Sequence, residues 1–174
     1  MHYMISDELR RLFQVAYERN RLHHLCLVTT LFHGLRVSET IQLVGPDVQD
    51  GQLSIFRLKK SRPSLHPLHI DADPLLDESP LIDMAARNSG RLFPFSRQRA
   101  DQFIKRYAEI AGIHRAKAHM HALKHSIAIL IWEKTHSLGQ IQSYIGHKSP
   151  SSTLQYLVEI DARKAQQAVA GISI

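Results

Sequence analysis

The chain has 174 residues, 44% of them hydrophobic, with 22 Lys and Arg against 16 Asp and Glu and a formal net charge of +6. That hydrophobic share supports a packed core and excludes general disorder, and the length suits one domain, residues 1–174, better than two. A single cysteine, Cys26, excludes an intramolecular disulfide framework and a cysteine-rich zinc site, while the basic balance favours an anionic partner, most commonly nucleic acid.

In chain order, residues 1–11 hold no long apolar stretch, so no signal peptide is expected. Ser6 is a good N-cap for a first helix with Leu9, Leu12, Phe13 and Ala16 on one face. Residues 23–33 predict a second helix that is apolar on all sides and therefore buried, with Cys26 as a small core residue and Gly34 as its stop. Its apolar run, residues 25–32, is too short to span a bilayer. Ser38 and Glu39 predict the opening of a short third helix through Leu43, which would hold Arg36 in a tight inter-helix turn.

Gly45-Pro46 breaks the pattern, and Asp50-Gly51 is a turn signal before an extended run through Leu53, Ile55 and Arg57. Lys59, Lys60, Ser61, Arg62 and Pro63 form a basic tip, and residues 65–70 return as an antiparallel partner whose Pro67 marks an edge strand. Residues 73–88 read as helix with a break at Pro80. Ser96 caps a helix running to about Ala111 with Phe103, Ile104, Tyr107 and Ile110 on its apolar face, ended by Gly112. Residues 121–132 predict another buried helix entered from a His-rich turn, and residues 138–145 a short one stopped by Gly146. Pro150 suits the first turn of a helix carrying Tyr156, and residues 160–171 form a last amphipathic helix. The expected fold class is α+β, mostly α: a helical bundle with a small antiparallel hairpin.

His121 and His125 share i, i+4 spacing, but Ala122 follows where a zinc-protease helix needs glutamate, so no metal is expected. Cations recurring along the chain with a late tyrosine are the groups needed to attack a phosphodiester without a metal. The cations offset charge that builds in the transition state, and the tyrosine serves as nucleophile.

The order of these groups resembles a known family. Gly34-Leu-Arg36-Val-Ser-Glu39 is similar to the first arginine box of the tyrosine recombinases, which include phage integrases and Xer-type resolvases. His121-Ala-Leu-Lys124-His125-Ser126 resembles their His-x-x-Arg-His box, and Ile145-Gly-His147-Lys148-Ser149, with Tyr156 nine residues beyond His147, their Leu-Gly-His box and nucleophile. Arg57-Leu-Lys59-Lys60 with His66-Pro67-Leu68 resembles the hairpin that carries their catalytic lysine. The short length and that hairpin are most like the compact invertases of fimbrial phase variation, and leave no room for the N-terminal core-binding domain of larger integrases.

The resemblance implies a site-specific recombinase that cleaves and rejoins duplex DNA through a 3′-phosphotyrosyl intermediate, with neither metal nor ATP nor another cofactor. Tyr156 would be the nucleophile. Arg36, Lys124, His121 and His147 would bind the scissile phosphate, with Glu39 in support. Lys59, or alternatively Lys60, would protonate the leaving 5′-oxygen. Lys124 stands where the family has arginine; it keeps the charge but loses the two-pronged fork, a loss of about 1–3 kcal/mol by analogy with charge-assisted hydrogen bonds. His125 is expected to point elsewhere and be structural.

Lys105, Arg106, Arg115, Lys117 and Lys148 are expected backbone contacts to DNA. The partners implied are double-stranded DNA, further copies in a tetrameric synapse through helix 160–171 docking in trans, and an accessory DNA-bending protein. The location implied is the cytoplasm, at the nucleoid. Two other readings stand beside this one: a catalytically weak DNA-binding regulator of recombination, and a type IB topoisomerase.

Overall fold

The computed structural model describes residues 3–56 and 63–146. Within them the chain runs α1 (Ser6–Arg19), α2 (Arg21–Phe32), α3 (Val37–Thr40), β1 (Val48–Gln49), β2 (Gln52–Ile55), β3 (Ser64–Pro67), α4 (Pro80–Arg87), α5 (Arg97–Ile110), α6 (Met120–Thr135) and α7 (Leu138–Ile145). This is the mostly helical α+β arrangement expected.

The amphipathic helices form as their periodicity dictates. Leu9, Leu12, Phe13 and Ala16 of α1 are buried. Its start differs by one residue: Ile5 is the cap, and the Glu8 carboxylate accepts from the Ile5 N–H at 2.9 Å, so Ser6 is already helical. In α5, Ser96 accepts from the Arg99 N–H at 3.0 Å, and Ala100, Phe103, Ile104, Tyr107 and Ala108 are buried. Ile110, expected on that face, is 47% exposed, because α5 leaves its packed stripe at the last residue.

Helices α2 and α6 are apolar all round and pack against each other at the centre, with α1 on α2 and α7 on α6. A helix without a polar face can be stable only where neighbours cover every side. Cys26 is fully buried there, and burial pushes its thiol up to about 12, so it is an inert core residue.

The sheet is antiparallel in the order β1-β2-β3, with Val48 opposite Leu53 and Gln52 opposite Pro67. Asp50 and Gly51 both take positive φ, 51° and 69°, as a primed hairpin turn requires. Pro67 sits on an edge strand, where its missing N–H breaks no ladder. The return strand is Ser64–Pro67 and not residues 65–70, and the two-residue β1 was not expected.

Residues 73–79 are not helical; the helix begins only at Pro80. Aspartate side chains claim the backbone there. Asp71 accepts from the Asp73 N–H, Asp73 from the Leu75 N–H, and Asp77 from the N–H groups of Asp71 and Ser79. Such local bonds offer the chain an alternative to the helix. No helix among the described residues is long and apolar enough to cross a membrane.

Candidate nucleic-acid interface and active site

The Arg36 turn is built by α2 ending early. Gly34 takes φ +57°, and a β-carbon there would sit 3.4 Å from Ile127 of α6 and 3.7 Å from Ile145 of α7, so the chain reverses against both helices. Arg36 then caps α3 from an extended backbone conformation. Its cap partner is Glu39 and not Ser38: the Glu39 carboxylate accepts from the Arg36 N–H at 2.7 Å and from the guanidinium Nη1 at 2.7 Å. One buried carboxylate thus fixes both ends of the arginine, while the rest of the guanidinium fork remains available to an anion.

Burial alone would raise the Glu39 carboxyl. The Arg36 N–H, the Lys124 charge and the Arg36 guanidinium outweigh it, so the net shift is downward and the group stays ionised. Lys124 rises from α6 beneath this turn. It is 1% exposed, and its Nζ donates to the Gly34 carbonyl at 2.8 Å.

His121 stands one turn earlier on α6, exposed. Desolvation, then the charges of Lys124, His119 and Arg36, lower its basicity. Its ring meets that of His125 edge-on, with centroids 4.2 Å apart. His125 therefore does not point elsewhere, as expected, but backs His121, because i, i+4 positions on a helix are neighbours. The structure brings Arg36, Glu39, His121 and Lys124 together. Lys59, Lys60, His147, Lys148, Tyr156 and helix 160–171 lie outside the described residues.

A groove of about 650 Å³ opens beside these groups, lined by Val37, Arg97, Gln98, Asp101, His119, Met120 and His121. It brings the N-termini of α5 and α6 to one place, and neither helix carries an acidic residue in its first turn. Both helix starts therefore add positive partial charge beside the groove, and its one lining carboxylate, Asp101, pairs with Lys105. His119 caps α6 by accepting from the Ala122 N–H at 3.0 Å. Arg97, Gln98 and His119 were missed from sequence; the signal was there, since Ser96-Arg97-Gln98 opens a capped helix.

The expected backbone contacts differ in availability. Lys105 pairs with Asp101 at 2.6 Å on the surface. Lys117 is held by Glu8, with both carboxylate oxygens within 2.8 Å, which ties α1 to the turn before α6. Arg115 lies in that same turn, exposed. Arg106 lies with Arg19, Arg99, Asn20 and Gln102 around a separate cleft of about 500 Å³. None of those three arginines has a carboxylate partner among the described residues.

The chain matches the model of the phage integrase family through residues 2–163. It is 28% identical to the type 1 fimbriae regulatory protein FimE of Escherichia coli (strain K12), over 94% of this chain and 88% of that one. It is 33% identical to the tyrosine recombinase XerD of Xanthomonas axonopodis pv. citri, over 71% of this chain and 46% of that protein. Among solved structures, a XerH site-specific recombinase in a post-cleavage complex with its palindromic difH substrate superposes with a TM-score of 0.75 at 20% identity, covering 98% of this chain and 53% of that one. The catalytic domain of bacteriophage HP1 integrase gives a TM-score of 0.68 at 21% identity, covering 90% of this chain and 86% of that one. The chain thus spans about half the length of the XerD and XerH chains and most of the FimE and HP1 domain chains. With a match that runs through all but the ends of the sequence, the chain belongs to the phage integrase family.

Proposed function

We propose that this protein is a site-specific DNA recombinase of the integrase or invertase type, acting through a 3′-phosphotyrosyl intermediate. The observation that carries the reading is the convergence of Arg36, fixed by Glu39, with His121 and Lys124 beside a groove at two helix N-termini. A phosphodiester in that groove would meet a guanidinium fork and an imidazole donor, aimed at charge that grows as phosphorus becomes five-coordinate.

In the proposed reaction the Tyr156 oxygen attacks phosphorus, its proton passes to an imidazole, His121 or His147, and the bond to the 5′-oxygen breaks. Lys59, with Lys60 as the alternative, gives that oxygen its proton. His147 donates a second imidazole hydrogen bond to the phosphate. A 5′-hydroxyl from the partner duplex then attacks phosphorus and displaces the tyrosine, so the bond energy is kept without ATP or metal. The partners proposed are duplex DNA, further copies of the chain in a tetrameric synapse, and an accessory DNA-bending protein, at the nucleoid in the cytoplasm. A lambda integrase tetramer has been solved on a Holliday junction, which supports the synapse by analogy. Helix 160–171 is the segment proposed to dock in trans.

The burial of Lys124 favours a second reading, a DNA-binding regulator with little cleavage. The experiment mixes wild type and Tyr156→Phe with fragmented genomic DNA, denatures, and sequences any DNA left attached to protein. Adducts at defined sites with wild type only are expected. Equal, salt-sensitive binding by both proteins with no adduct would establish the regulator instead.

A further inference from the structure

Beneath the Arg36 turn lies a set of buried polar side chains that the reaction above does not use. Glu78 is fully buried, His33 is 1% and His66 4% exposed. His33 Nε2 faces both Glu78 oxygens, at 3.2 and 3.1 Å, and His33 Nδ1 faces His66 Nδ1 at 3.3 Å. Glu78 also accepts from the His69 N–H at 3.0 Å and returns its own N–H to the His69 carbonyl at 2.8 Å.

The hydrogen count is tightly constrained. A carboxylate only accepts, so His33 Nε2 carries a hydrogen and donates to Glu78. The two Nδ1 atoms then share a single hydrogen. Either His66 donates to a neutral His33, or a charged His33 donates to His66. In both cases turning any of the three side chains gives up at least one of these buried hydrogen bonds, which favours one orientation.

The triad joins the turn after α2, β3 and the segment before α4, and through Tyr144 it reaches α7. His33 is the residue before Gly34, three before Arg36. His66 is on β3, which follows in sequence the segment 57–62 that holds Lys59 and Lys60. The His66 ring also stacks on Tyr144 of α7, centroids 4.3 Å apart, and the Tyr144 hydroxyl donates to the Phe32 carbonyl at 2.7 Å. Helix α7 leads directly into Gly146 and His147. Buried polar groups are in general no more stabilising than well-packed apolar ones, so fixed orientation is the gain such a triad offers.

We propose that Glu78, His33 and His66 are positioning residues, a buried relay that sets the Arg36 turn, the β2–β3 hairpin and α7 in register for strand cleavage. The proposal rests on the recombinase reading, and its test has one arm that does not.

The activity arm measures single-turnover adduct formation on saturating duplex for Glu78→Gln, His66→Leu and His66→Asn. Asparagine keeps an N–H donor near the place of Nδ1. The adduct rate should fall roughly tenfold or more in Glu78→Gln and His66→Leu, with DNA affinity within about twofold of wild type, and His66→Asn should recover most of the rate. The second arm follows amide exchange in the free protein. Glu78→Gln should speed exchange by about tenfold at residues 33–40 and 64–69 together, while α5 is unchanged.

Wild-type rates and exchange in Glu78→Gln and His66→Leu would overturn the proposal. So would exchange that quickens equally in α5 with no recovery by His66→Asn, since that is general loosening. If wild type forms no adduct, the recombinase reading fails while exchange still decides the relay. If Glu78→Gln does not fold, the two His66 variants decide it.

Discussion

Arg36 is held before any DNA arrives. Its backbone and head group share the Glu39 carboxylate, so little rotamer freedom is left to lose on binding phosphate, and the fork is held in one orientation. Arg36→Ala should cut the adduct-forming rate by about 10²–10³-fold, the scale for removing one preorganised oxyanion donor, with DNA binding weakened far less. Arg36→Lys should fall between, since it keeps the charge without the fork. Equal rates for all three proteins, measured at saturating DNA, would remove Arg36 from the site. Lys124 is a different case. A reading of the sequence alone would restore the family arginine there, but the side chain is packed at 1% exposure with its Nζ on the Gly34 carbonyl. Lys124→Arg must push a larger head group into filled space, at a cost of about 1–3 kcal/mol by urea unfolding. An unchanged midpoint would mean that the guanidinium escapes into the groove.

At the scale of the element, the arginine cleft between the α1–α2 junction and α5 carries its own prediction. Arg99 and Arg106, seven residues apart, share a face of α5, and Arg19 comes from the end of α1. Tyr107 feels all three: its burial raises the phenol, and the charges of Arg106, Arg99 and Arg19 oppose that rise. If these cations, which have no carboxylate partner among the described residues, meet DNA phosphates, changing all three to Gln should weaken binding and reduce the slope of log affinity against log salt by up to about 0.9 for each phosphate lost. An unchanged slope would confine the DNA to the groove by His121.

These elements were legible to different degrees. Helix α5 could be read because a capping serine, Ser96, and a stopping glycine, Gly112, bracket an apolar stripe, and α7 because Gly146 stops it; the Ser137 cap of α7 came from the structure. Residues 73–79 misled because their composition suits a helix while Asp71, Asp73 and Asp77 bond to the local backbone instead. Of the site, Arg36 and His121 were legible through their boxes. The groove was not, since a capped helix start marks Arg97 and Gln98 locally but only the packing of α5 and α6 puts them on one wall with His119.

Over the whole molecule, four buried or desolvated histidines, His23, His24, His121 and His125, make the fold sensitive to acid. Burial holds His125 down to about 3, helped by the charges of His121, His119, the N-terminus and Lys124. His23 is lowered by burial and Arg99, and His121 by burial, Lys124, His119 and Arg36. Burial lowers His24 too, against a hydrogen bond to the Leu75 carbonyl that raises it. Each is neutral in the fold at a pH where the unfolded chain, with histidine near its ordinary 6.5, already binds a proton. The unfolded state therefore binds more protons, and stability rises with pH through that window. Their contribution is complete above about pH 6.5 and is lost as pH falls from there, down to about 3 for His125. Glu39 adds a further loss below the ordinary carboxylate range, because its folded value is depressed. One fully linked proton changes stability by about 1.4 kcal/mol per pH unit, so urea unfolding between pH 6 and 5 should show a fall of at least about 1 kcal/mol. His125→Phe, which keeps the ring and removes the titration, should flatten that slope by up to the one-proton amount. A slope that is the same in both proteins would mean that His125 is open to water in the folded state.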